Sequence, residues 1–156
     1  MRIYQRPGDE PGTERTAVTV DGTVNPVLHL ATVPLTAGRG DYGSGVVEAL
    51  HDVDAFLALV EFDAEAAHTA LFSAGPVPRA VNPEDLQPHT LQRVIAGQAG
   101  AQYFASESGR AFCLYVVVGA AGMRASVAQR LNAALGTLEI EPLPSAPPHG
   151  GAVPTA

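Results

Sequence analysis

Apolar residues recur in two rhythms along this chain, and the clearest change of rhythm falls between Phe112 and Ile140. In Ala111–Val118 the alternation sends Phe112, Leu114, Val116 and Val118 one way and Cys113, Tyr115 and Val117 the other. Neither face is polar, so this strand belongs inside a sheet. Beyond Gly119 the period lengthens: Met123, Val127, Leu131, Ala134, Leu135 and Leu138 return at three- and four-residue spacing, which predicts an amphipathic helix over Met123–Leu135. Gly136 is placed to end it as a left-handed C′ residue, and Leu138–Ile140 then reads as a final strand. Upstream, Gln102–Ala105 pairs with Ala111–Val118 through Glu107-Ser108-Gly109-Arg110, whose glycine supplies the positive φ of a bulged hairpin.

The same pattern is weaker toward the N-terminus. Thr16–Val20 and Val27–Leu35 are β-branched and apolar on either side of Asp21-Gly22, which predicts a hairpin. After the glycine-dense stretch TAGRGDYGSG, residues 46–53 (VVEALHDV) fit about two helical turns. Ala55–Phe62 is almost continuously apolar, as in a central strand, and Thr69–Ser73 predicts a shorter one. Residues 75–88 hold four prolines and read as an extended surface connection, while Leu91–Ile95 fits helix or strand. The fold class is therefore α+β: a mostly antiparallel sheet of about five to seven strands with one amphipathic C-terminal helix packed on it. Residues 15–141 form this domain, flanked by a polar arm (1–14) expected to be mobile and a Pro-rich tail (142–156) expected to be disordered.

Composition narrows the functional classes. With 156 residues, 46% of them hydrophobic, the chain can cover one shared core and no more. The net charge is −7 and the nine basic residues, all Arg, are scattered, which argues against nucleic acid as a partner. No apolar run approaches a membrane span and the N-terminus lacks an apolar signal core, so the expected location is the cytoplasm, away from the membrane. Cys113 is the single cysteine, which rules out an internal disulfide.

Candidate chemistry is sparse. Gly38-Arg39-Gly40-Asp41-Tyr42-Gly43 has the G-x-G-x-x-G spacing of a phosphate-cradling loop, and Asp63 follows Gly43 by 20 residues, near where a ribose-binding acid would fall. Under that alternative the chain is a nucleotide-binding enzyme or sensor, with Gly38, Gly40, Gly43 and Asp63 on the cofactor. Against it stand Pro34 before the loop, the carboxylate of Asp41 within it, and a following helix too short for a crossover. Cys113 lies in an apolar strand, where a thiol packs as a small hydrophobe. His51-Asp52-x-Asp54 with His68 lacks the ligand count of a metal site, and Gly43-Ser44-Gly45 lacks the nucleophile elbow. No catalytic set, metal site or cofactor is therefore expected. The leading expectation is a non-enzymatic accessory or binding module that engages another protein or itself. Its candidate surface is the loop Gly38, Arg39, Gly40, Asp41, Tyr42 and Gly43, with Tyr103 and Arg110 beside the second hairpin.

The strings PVLHLATVPL, GRGDYGSG, FLALVEF, TLQRVIAGQAGAQYF, GRAFCLYVVVG and LNAALGTLEI, spanning Pro26 to Ile140, resemble an uncharacterised family of small bacterial α+β proteins. The order of elements is also similar to the Mog1/PsbP-like fold, whose members are mostly non-catalytic accessory or partner-binding proteins. That resemblance implies a binding role and names no site.

Overall fold

The computed structural model describes Arg2–Ile3, Thr13–Val20 and residues 23–142, with side chains described from Pro26 onward. Among the described residues, in chain order, the strands are β1 (Arg2–Ile3), β2 (Thr13–Val20), β3 (Thr23–Ala31), β4 (Ala55–Glu61), β5 (Ala99–Glu107), β6 (Arg110–Val118) and β7 (Leu138–Glu139), with one α-helix, α1 (Arg124–Leu135), before β7. The main sheet is wholly antiparallel in the order β2-β3-β4-β6-β5, and β1 pairs with β7 apart from it. Of its five strands, β3, β4, β6 and β5 have described side chains, and β2 extends them through backbone pairing. Two expected strands fold otherwise: Thr69–Ser73 lies in 3-10 turns (Ala66–His68 and Ala70–Phe72), and β7 joins Arg2–Ile3 instead of the sheet.

Strand β6 is interior, and every one of its residues is buried. Its alternation divides the core as the pattern requires. Phe112, Leu114, Val116 and Val118 meet Leu28, Leu57, Leu59 and the α1 residues Val127, Ala128, Leu131 and Leu135 on one face. Cys113, Tyr115 and Val117 meet Val27, Phe56, Val60, Val46, Val47 and Leu50 on the other. The first face is covered by the helix, the second by irregular chain. Each fully buried Val or Leu contributes roughly 1.5 to 3 kcal/mol, so both faces stabilise the fold.

Several connections differ from expectation. The turn at Ser108 (φ 55°) and Gly109 (φ 73°) has positive φ at both central residues, and Glu107 pairs directly with Arg110, so the hairpin closes without a bulge. Gly136 has φ −62° and ψ −17°, so it continues the helical conformation instead of adopting the left-handed one, and its N–H donates to the carbonyl of Asn132. Only Val47–Ala49 of residues 46–53 is helical, as a 3-10 turn. Residues 75–88 run over the surface but are pinned to it by Val77, Val81 and Leu86, which are buried against the α1-side core. Leu91–Ile95 is neither helix nor strand, and β3 ends at Ala31, short of Leu35. Within 1–14, Arg2–Ile3 and Thr13–Glu14 lie in strands; the rest of that segment, the Asp21-Gly22 turn and residues 143–156 lie outside the described residues.

Candidate functional site

The glycine loop is seated on the helix-free face of the sheet. Gly43 has φ +77°, and a Cβ there would overlap the Phe56 ring, 2.6 Å from Cε1 and 2.8 Å from Cε2, so the loop backbone rests directly on β4. Fully buried His29 on β3 fastens the other end. Arg39 Nε–H donates to His29 Nδ1 at 2.8 Å, and an Arg nitrogen can only donate, so Nδ1 is the acceptor and the proton sits on Nε2. Nε2–H then donates to the Asp41 carbonyl at 2.7 Å, while Arg39 also donates to the Thr36 carbonyl at 2.7 Å. The His29 ring packs on Phe56 with centroids 5.3 Å apart.

A phosphate cradle needs backbone N–H groups aimed at the ligand. Here the Gly43 N–H donates to Gly40 O (2.8 Å), and those of Val46 and Val47 donate to Gly43 O (2.9 and 3.0 Å). The Gly45 N–H donates to the Glu48 carboxylate at 2.6 Å, so a carboxylate of the chain itself holds the position an anion would take. Nor does Asp63 come near. Strands β3 and β4 are antiparallel, and Phe56, beneath Gly43, stands near the start of β4, whereas Asp63 follows its end about 20 Å away at the usual rise per strand residue. Asp63 accepts the Ala66 N–H at 2.9 Å, in the turn that leads into the 3-10 turn Ala66–His68.

Tyr42 meets Tyr115 edge to face at 5.3 Å, above Cys113. Burial pushes the Cys113 thiol up to about 11 and the Tyr42 hydroxyl up to about 12, and burial raises Tyr115 as well. The thiolate is thus disfavoured where a nucleophile would need it. Tyr103 lies on the opposite face, against the α1-side core, with its hydroxyl donating to Asp85 at 3.0 Å. Arg110 is buried at the far end of the hairpin. It forks onto Glu61 at 2.6 and 2.5 Å, donates to the Glu141 carbonyl at 2.9 Å and lies over the Phe112 ring. The structure therefore does not bring Tyr103 or Arg110 to the glycine loop. Asp54 accepts from the His51 N–H and the Thr32 hydroxyl, closing a turn. Among the described residues no group of three or more His, Cys, Asp or Glu is placed to hold a metal ion, and no helix is long and apolar enough to cross a membrane. A groove of about 100 Å³ between β3 and α1 is lined by Leu30, Val127, Leu131 and Ala134, with Thr32 and Arg130 as polar members. It falls below the roughly 300 to 1,000 Å³ of small-molecule pockets.

Among the described residues, the surface that remains open is made of backbone. Thr32 N–H donates to Ala55 O, so in β3 the even-numbered residues turn their N–H and C=O toward β4 and the odd-numbered ones toward β2. The β2–β3 register pairs Glu14 with His29, Thr16 with Val27, Val18 with Asn25 and Val20 with Thr23. The backbone groups of Thr13, Arg15, Ala17 and Thr19 consequently face away from the sheet, with no partner strand among the described residues. At the opposite edge the chain covers itself: Gly100 exchanges both hydrogen bonds with Gln87 (2.8 and 3.1 Å), and Ser106 N–H donates to Gly75 O (2.9 Å). Beside them, Gln102 donates to the Thr90 carbonyl at 2.6 Å and accepts from Gln92 at 2.9 Å. No local motif marks this surface, since which backbone groups face outward depends on long-range register. Compared with protein-family models, curated proteins and solved structures, the chain matches none of them.

Proposed function

We propose that this chain is a non-enzymatic accessory module that binds protein by accepting an extended segment along β2. The observation that carries the reading is the asymmetry of the two sheet edges: β5 is blocked by the chain's own backbone at Gly100 and Ser106, whereas β2 presents four residues of outward donors and acceptors. An unpaired edge is a template for another strand, with backbone bonds supplying affinity and alternate side chains supplying selectivity. The glycine loop serves this role indirectly, by holding β3 and β4 in place from the helix-free face through His29 and Phe56. The resemblance in element order to Mog1/PsbP-like accessory proteins points the same way.

Selection of short random peptides on the immobilised protein tests the reading. Binders should share alternating β-branched residues, and their addition should shift the amide signals of Thr13 to Val20 above all others. Binders that map to Gly38–Gly45 instead, or that bind equally well after Ala17→Pro, would refute strand addition at β2.

A further inference from the structure

We propose that the strand β2 accepts is β2 of a second copy, joined antiparallel about a two-fold axis; this rests on the reading of β2 as an open, strand-accepting edge. An antiparallel edge is self-complementary, because each outward N–H of one copy meets an outward C=O of the other after the two-fold rotation, so one surface serves both partners. Every residue-centred register satisfies the outward parity of β2, and the two nearest the middle of the strand are centred on Ala17 and on Thr16. Centred on Ala17, Ala17 faces its own copy and Arg15 faces Thr19. Centred on Thr16, Arg15 faces Ala17 and Glu14 faces Val18. Neither register sets Arg15 against Arg15 or Glu14 against Glu14, the like-charge pairing that destabilises a cross-strand contact. A register centred on Arg15 would do so and is excluded.

Charge does not oppose self-association along this edge. The chain carries −7, yet its first twenty residues balance Arg2, Arg6 and Arg15 against Asp9, Glu10 and Glu14. Strand β2 itself is neutral, with Glu14 beside Arg15, so a contact along it brings no excess of like charge together. Thr16–Val20 contains no charge and no proline, so nothing in that half of the strand blunts the edge. The other edge cannot substitute, because Gln87 and Gly75 already occupy it.

Sedimentation velocity of the full chain over a concentration series tests the proposal. The wild type should pass from monomer to dimer as concentration rises. Ala17→Pro removes an outward donor and leaves the β2–β3 bonds intact, so it should raise the dimer dissociation constant by at least about tenfold with an unchanged melting temperature. Should Ala17→Pro disturb the hairpin, Ala17→Lys keeps every backbone donor and sets two ammonium groups near one another across the two-fold, with the same weakening expected. A dimer that survives Ala17→Lys uses another surface and overturns the proposal. A wild type that stays monomeric while library peptides still shift the β2 amides overturns the second copy as partner and leaves strand addition standing. A monomer whose β2 amides respond to no peptide overturns both.

Discussion

Gly43 shows how a single residue fixes the loop to the sheet. Its backbone combines positive φ with contact against Phe56, so Gly43→Ala incurs both conformational strain and overlap with a buried ring. A destabilisation of about 2 to 4 kcal/mol should appear as a lower urea midpoint with an unchanged slope. Cys113 supplies a second prediction through its raised thiol. In the unfolded chain that group ionises near about 8.5, whereas in the fold it holds its proton to about 11. The unfolded state therefore binds fewer protons between those values, and stability falls as pH rises across that window. The part due to Cys113 is fully present below about pH 8.5 and, at about 1.4 kcal/mol per unit, its loss is on the order of 2 to 3 kcal/mol by pH 11. Replacing Cys113 by Ser should flatten this part of the profile in denaturant titrations between neutral pH and 11; an unchanged slope would show that the thiol is not the group responsible.

Among the elements, α1 is the one whose periodicity and burial agree most closely. Leu131 is 7% exposed and packs on the sheet with Val127 and Leu135, so Leu131→Asp would place a carboxylate in apolar surroundings with no partner. Loss of the cooperative thermal transition is expected by circular dichroism, and a normal melting curve would remove the helix from the core. Helix α1, the β5–β6 hairpin and β4 were legible because each carries an uninterrupted local pattern. Residues 46–53 and the anchoring of 75–88 were not, because they answer to distant partners. Val46, Val47 and Leu50 fill the space beneath the glycine loop after a single 3-10 turn. In the proline segment each proline removes a donor, which lets extended chain press Val77, Val81 and Leu86 into the core while Arg79 holds it through Glu107 (3.0 and 2.6 Å) and the Leu138 carbonyl (2.9 Å). Of the candidate site, the loop glycines stood out by their spacing, which cannot tell a ligand cradle from a latch. That difference lies in His29, ten residues before Arg39, and in Glu48, whose carboxylate takes the Gly45 amide.

At the scale of the whole molecule, one face of the sheet is closed by a helix, the other by a latched loop, and one edge by the proline segment. The remaining edge gives the account its central claim, that the odd-numbered backbone groups of β2 are available to another strand. Residue-resolved amide hydrogen exchange on dilute protein tests this most directly, because neighbouring amides of one strand should differ by parity alone. Arg15, Ala17 and Thr19 should exchange quickly while Thr16, Val18 and Val20, bonded to β3, exchange slowly, and a bound strand should slow the first set. Equal, slow exchange of both sets at dilutions where the protein is monomeric would mean that the edge is already covered, and would contradict the account.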